Sequence, residues 1–316
     1  MKKALIIGAA GFVGNYLIDH IQKNCVWSIV VTKMQREKIE RQGVQIYDLD
    51  IMDRDAVSKL LKSVRPDYIF HLAAQSSVAF SWKNPGLTVD VNIKGSLNVL
   101  DAIRTLDYKP RILLIGSGEE YGRVRPEEVP IREDSVVIRP GNIYAATKAC
   151  QNMIGGIYAR AYEMDVMMAR AFNHIGPNQS SMFVVADFCR QLAEIENGLR
   201  EPFIKVGNLN VQRDFSDVRD VVRAYTLLME HGKAGEIYNV GSGKAVEIQY
   251  ILNHILAYAR VPVTVEVDRE RLRPVDVPII EADITKLVTC TGWKREITLE
   301  QTIQETLEYW RKQVMI

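Results

Sequence analysis

The chain has no long apolar run. Nothing in it approaches the roughly 18 consecutive apolar residues that a membrane-crossing helix needs, so a helical membrane protein is not expected. Cysteine is scarce: Cys25, Cys150, Cys189 and Cys290 stand apart, with no CxxC pair. Neither a disulfide framework nor a metal centre is expected. Reduced thiols point to a reducing compartment, which makes a cytoplasmic location the expectation. An excess of one charge is missing too, with 40 Lys and Arg against 39 Asp and Glu. Nucleic acid and charged membrane surfaces are therefore not expected partners. Internal repeats and low-complexity linkers are absent. The opening MKKALIIGAAGFVG holds a short apolar stretch, but glycines interrupt it after a few residues. It reads as a strand and a turn rather than a signal peptide.

What the chain does have is ordinary globular composition, 47% hydrophobic and 25% charged over 316 residues, enough for two domains or a large one with a smaller one attached. Short runs rich in β-branched residues (ALIIGA, WSIVVT, VQIYDL, YIFHLA, RILLIGS, DVMMARAF) alternate with amphipathic segments such as DRDAVSKLLKSV and GSLNVLDAIRTL. Near-continuous apolar strands between helices predict a parallel sheet covered on both faces, with right-handed crossovers. The fold class expected is α/β, a doubly wound (Rossmann) parallel sheet with a smaller α/β substrate-binding domain. Residues 1–172 would form the dinucleotide domain, joined by a returning helical segment near 214–234. Residues 173–213 and 235–316 would form the second domain, where loops with Gly, Pro and Asn loosen the pattern.

The loop Gly8-Ala9-Ala10-Gly11-Phe12-Val13-Gly14 follows the first strand and opens the first helix. Glycines there allow a tight turn and close approach of a pyrophosphate to the helix N-terminus. An acid at the end of the second strand would hold the ribose hydroxyl of NAD. That strand instead ends in Thr32 and Lys33, with Arg36 nearby, which favours NADP or tolerance of both. Asp48 and Leu49 end the third strand, where an adenine edge could lie. Tyr144 and Lys148, four apart in IYAATKACQNM, share one helix face. An ammonium beside a phenol favours the phenolate, and a phenol so tuned can pass a proton at a carbonyl or alcohol. The spacing alone is a weak signal.

With Leu72-Ala73-Ala74 after the fourth strand, Ser117 after the fifth and Tyr144/Lys148 on the next helix, the order resembles the extended short-chain dehydrogenase/reductases, enzymes acting mostly on nucleotide-activated sugars. The resemblance implies that Gly8, Gly11 and Gly14 hold the dinucleotide and that Leu72, Ala73 and Ala74 line its path. Asn92 would organise the active site. Ser117 would hydrogen-bond the reacting oxygen, Tyr144 would donate the proton, and Lys148 would bind the nicotinamide ribose and lower the Tyr144 pKa. Beyond Phe172, Arg170-Ala171-Phe172-Asn173-His174-Ile175-Gly176-Pro177 resembles a sugar-nucleotide loop, with Asn173 on the sugar or diphosphate. Val206-Gly207-Asn208-Leu209 and Arg213-Asp214-Phe215 resemble a nucleotide-binding stretch. Arg213 and Arg273 would clamp phosphate, and Asp276 would accept from a ribose diol.

These stretches, with Thr291-Gly292-Trp293, look most like the GDP-mannose branch, which holds dehydratases of GDP-mannose and shorter reductases of the 4-keto-6-deoxy product. A dehydratase needs an acid/base set beyond the Tyr-Lys pair. In the dTDP-glucose dehydratases that set resembles an Asp-Glu, and in the GDP-mannose dehydratases a Ser-Glu, right after the catalytic Ser or Thr. The run is Ser117-Gly118-Glu119-Glu120, and Gly118 cannot protonate a leaving hydroxyl. Glu119 keeps a residual dehydratase role open. The serine usual two residues before the tyrosine is Asn142. The expected activity is NAD(P)H-dependent reduction of GDP-4-keto-6-deoxy-D-mannose at C4 by a homodimer. A GDP-mannose 4,6-dehydratase, a UDP-hexose 4-epimerase and a dinucleotide sensor without chemistry are the alternatives.

Overall fold

The computed structural model describes residues 1–134, 137–272 and 277–315. The first half alternates strand and helix: β1 (Lys2–Ile7), α1 (Phe12–Asn24), β2 (Trp27–Lys33), β3 (Val44–Asp48), α2 (Arg54–Val64) and β4 (Tyr68–His71). Two short helices, α3 (Val78–Lys83) and α4 (Pro85–Val89), lead through a π-helical turn at Asp90–Gly95 into α5 (Ser96–Arg104). Then come β5 (Arg111–Ser117), α6 (Ile143–Ala161) and β6 (Val166–Ala171).

Second-half elements are β7 (Asn173–Ile175), α7 (Val184–Glu196), β8 (Phe203–Val206), β9 (Gln212–Asp217), α8 (Val218–His231) and β10 (Ile237–Val240). They are followed by β11 (Ala245–Glu247), α9 (Ile248–Ala257), β12 (Thr264–Val267), β13 (Ile279–Ile280), α10 (Thr285–Thr291) and α11 (Leu299–Val314). The main sheet has seven strands in the order β10-β6-β5-β4-β1-β2-β3. Every pairing in it is parallel. Chain order reverses between β1 and β4, which makes the crevice beyond their carboxyl ends the place where such sheets bind ligands.

Alternation along β1 splits the core. Ala4 and Ile6 face a layer with Leu17 and Ile18 of α1 and Val221, Val222 and Tyr225 of α8. Leu5 and Ile7 face the opposite layer, with Val57 and Leu61 of α2 and Val99 and Leu100 of α5. The central strands are therefore covered on both sides, while the edge strand β3 is exposed from Gln45 to Asp48. A separate core packs α7, α9 and α11 around Phe188, Leu192, Ile251 and Ile303. Beside it, β7, β11 and β13 all pair with β9, and β12 pairs with β8.

The segment that returns to the main sheet runs further than 214–234. α8 is a crossover helix, and the crossover ends in β10, which pairs with β6. Trp293, fully buried, also joins the α1/α8 layer and donates its Nε1–H to Asp220 O at 3.0 Å.

Candidate active site

Two glycines shape the turn after β1. Gly8 has φ +83°, and a Cβ there would lie 2.6 Å from the Ala73 backbone. A Cβ on Gly14 would lie 2.2 Å from Ala9 O. The first turn of α1 thus presses against the loop before it, which only glycine permits. Gly11 caps α1 without a side-chain hydrogen bond. Thr32 is buried; its Oγ1 accepts from Gly8 N at 3.1 Å and its carbonyl from Ala9 N at 2.8 Å. This residue therefore braces the glycine turn with its side chain. Lys33 is ion-paired with Asp48 across the β2/β3 edge, so these two candidate cofactor residues engage one another. Leu49 is a core residue. Phe12 and Val13 pack on the α1/α8 layer, and the Phe12 ring stacks on His174 at 6.2 Å.

After β4, the Leu72 and Ala73 amides both donate to Ile7 O at 2.9 Å, joining this loop to the glycine turn. Asn92 is fully buried in the π-helical turn. Its Oδ1 accepts from Gln75 N, and its Nδ2 donates to Gln75 O at 3.0 Å and Thr147 Oγ1 at 2.9 Å. It clamps the post-β4 loop onto α6, next to the side chains of interest.

Asn142 starts α6 as an N-cap, accepting from Ala145 N at 2.8 Å. Its Nδ2 donates to Glu119 Oε2 at 3.2 Å. Tyr144 and Lys148 follow on one buried face, opposite Ser117 at the end of β5. Lys148 Nζ donates to Ile115 O at 2.7 Å and Gln151 Oε1 at 3.1 Å. Burial brings its pKa down to about 8, opposed by Glu120. The expected lowering of the Tyr144 pKa by Lys148 is not what the geometry produces. Burial pushes this phenol up; hydrogen bonding with Ser117 works the other way, and Glu119 and Glu120 add to the rise. Desolvation dominates because both groups are shut away from water.

Sequence reasoning passed over Glu120 in favour of its neighbour Glu119. Glu120 is fully buried and paired with Arg170 of β6, Nε to Oε2 at 2.9 Å. Arg170 also lies over the Tyr121 ring, 4.6 Å from its centroid. Burial pushes the Glu120 carboxyl up, while Arg170, the Ser117 amide and Asn152 pull it down. The available signal was Arg170 itself, a cation in the apolar strand VMMARA, which must find a buried partner. His71 is another buried group missed; its Nε2 meets Ser96 Oγ at 2.9 Å, and burial lowers its pKa to about 3.

A Cβ on Gly118 would lie 3.1 Å from the Phe172 ring. Of the substrate candidates, Asn173 is exposed at the start of β7. The Val206 side chain is wholly buried in the α7/α9/α11 core. Arg213 is buried, and its NH1 donates to Gln212 O at 2.8 Å and Val277 O at 2.7 Å, holding β9 to the segment before β13. Arg273 and Asp276 lie outside the described residues. Among the described residues no His, Cys, Asp or Glu group is set to hold a metal, and no helix is long and apolar enough to cross a membrane.

A family model described as GDP-mannose 4,6 dehydratase matches residues 5–306. The chain is 31% identical to a GDP-6-deoxy-D-mannose reductase of Pseudomonas aeruginosa, over 99% of this chain and 98% of that one. It is 28% identical to a GDP-mannose 4,6-dehydratase of Yersinia enterocolitica, over 96% and 92%. A solved structure of RMD from Pseudomonas aeruginosa complexed with NADPH superposes with a TM-score of 0.88 at 31% identity, covering 99% of this chain and 100% of that one.

Proposed function

Because this chain belongs to the GDP-mannose 4,6-dehydratase family, we propose that it is a nucleotide-sugar oxidoreductase that reduces the C4 ketone of GDP-4-keto-6-deoxy-D-mannose with NADPH. Gly118 carries the reading. A Cβ there would press on the Phe172 ring at 3.1 Å, and the Asp or Ser that belongs to a dehydratase acid/base set is missing between Ser117 and Glu119. Ketone reduction needs neither. Likeness to the Pseudomonas reductase along almost the whole chain supports the same choice.

The glycine turn fits a dinucleotide: Gly8 and Gly14 pack it tightly, and Gly11 meets nothing closer than Gly8 O at 3.9 Å. Gly8, Gly11 and Gly14 would hold the pyrophosphate against α1, and Lys148 would donate to the nicotinamide ribose. NADPH, when bound, supplies the hydride that adds to C4 of the sugar. Ser117 donates to the carbonyl oxygen and stabilises the charge growing on it. Tyr144 delivers its proton to that oxygen, and burial keeps the phenol protonated until then. The ketone thereby gains one hydride at carbon and one proton at oxygen, giving GDP-6-deoxy-D-mannose (GDP-D-rhamnose). Asn173 and Arg213 are the proposed contacts to the sugar diphosphate.

Residues 1–172 with 214–240 would carry the cofactor, and the rest the sugar nucleotide. A homodimer in the cytoplasm completes the proposal. The test is incubation with the 4-keto sugar nucleotide and NADPH, with NADH as the comparison, following cofactor absorbance. NADPH loss mole for mole with sugar is expected; no consumption overturns the reading. Glu119, half-buried and tied to Asn142, favours a GDP-mannose dehydratase as second reading. That enzyme would convert GDP-mannose with no net NADPH loss.

A further inference from the structure

Glu120 takes part in no step above, yet it is the most heavily engaged carboxylate at the site. It receives Ser117 N at 2.7 Å, Asn152 Nδ2 at 2.8 and 2.7 Å on its two oxygens, and Arg170 Nε at 2.9 Å. These donors come from β5, α6 and β6. Asn152 lies one helical turn beyond Lys148, and Lys148 is itself tied to β5 through Ile115 O. A buried ion pair contributes little net stability relative to an apolar pair of the same volume, so stability alone gives no reason for it. We propose that Glu120 is a positioning residue of the reductase, its buried carboxylate holding Ser117 in register with the α6 turn that carries Tyr144 and Lys148. The inference rests on the reading of function above.

Charge points the same way. Glu120 favours the ammonium form of Lys148 and disfavours the Tyr144 phenolate. The other groups around this cluster are Glu119, Tyr121 and Arg170, with Glu133 beyond Tyr121 and Arg170. Tyr225 faces Tyr144 from α8, and His71 faces Lys148 from β4. His71 is neutral at working pH, since its pKa is about 3. Ketone reduction uses protonated Tyr144 and protonated Lys148. Removing the Glu120 charge lowers both pKa values, so activity should fail at lower pH as pH rises.

The test is Glu120→Gln, with kcat and KM measured across pH. Expected are a kcat loss of about tenfold to a hundredfold from misplaced Ser117, KM values within about threefold, and an alkaline limb moved down by about one pH unit. An unmoved limb overturns the proposal, whether kcat is kept or kcat and KM worsen together as for a purely structural role. If the single variant does not fold, Glu120→Gln with Arg170→Met removes both buried charges. Because loss of the cation offsets part of the effect, the limb should still move down but by less, and an unmoved limb with unchanged kcat overturns the proposal. NADPH binding followed by fluorescence across pH gives a second readout, whose alkaline weakening should move in the same direction. If the wild-type protein consumes no NADPH with the 4-keto sugar, the functional reading fails. The binding titration then still decides on Glu120: a shift supports it and none overturns it.

Discussion

Tyr144 shows how burial and chemistry are joined in one side chain. The phenol is held protonated by its surroundings, with Ser117 beside it and Lys148 drawn toward Ile115 O rather than toward the ring. A group kept protonated in this way suits donation to an alkoxide. Tyr144→Phe should therefore reduce turnover by about a hundredfold to ten-thousandfold while leaving NADPH affinity within about threefold. The ring and its packing survive the change, and the amide contact to Ser81 Oγ belongs to the backbone. Turnover kept within tenfold would remove Tyr144 as the donor; lost cofactor binding would mark it as a structural residue. The pair itself was legible in the sequence because helical spacing is local. Which of Glu119 and Glu120 turns inward was not. Adjacent residues in a short turn differ only in direction, and that direction is set by Arg170, fifty positions away.

The glycine turn carries its chemistry as an element. Its two tight glycines and its open one predict separate effects. Gly14→Ala puts a methyl about 2.2 Å from Ala9 O, so α1 must move off the turn. Overpacking of this kind costs about 1–3 kcal/mol, visible as a lowered Tm, and the displaced helix terminus should weaken NADPH binding about tenfold or more. Gly11→Ala has nothing within 3.9 Å to strike. It should leave Tm unchanged and weaken only the binding, since its methyl projects where the pyrophosphate passes. Equal loss of Tm in both variants would contradict this division. The turn was readable because glycine spacing after an apolar strand is a local pattern. So were β1, β2 and β4 to β6, whose runs bury both faces, and β3, whose apolar alternation was readable although it is an edge strand exposed from Gln45 to Asp48. β10 was not: IYNV is four residues long, and its place beside β6 depends on α8 first packing on α1. Val206 shows a related limit, since a motif gives chain position and not which face of β8 meets the core.

The molecule as a whole has two cores tied together by the α8 and β10 return, and most of its apolar surface is spent on them. Among the large apolar residues left exposed, one group lies on the neighbouring helices α3, α4 and α6. Trp82, Leu87 and Val89 stand out on the first two, and Met153 and Ile157 on the third, all more than a third accessible, on helices that pack against one another. Met153 and Ile157 are four apart on α6, whose inner face carries Tyr144 and Lys148. A clustered apolar face on a chain of balanced charge favours self-association. A two-fold dimer would bury it against itself and stiffen α6 from outside. Met153→Asp with Ile157→Asp should convert the protein from dimer to monomer in sedimentation. It should also lower kcat more than NADPH affinity, because α6 loses its outer support while the glycine turn is untouched. A wild-type protein that sediments as a monomer would refute the dimer. A charged variant that stays dimeric would place the contact on another face.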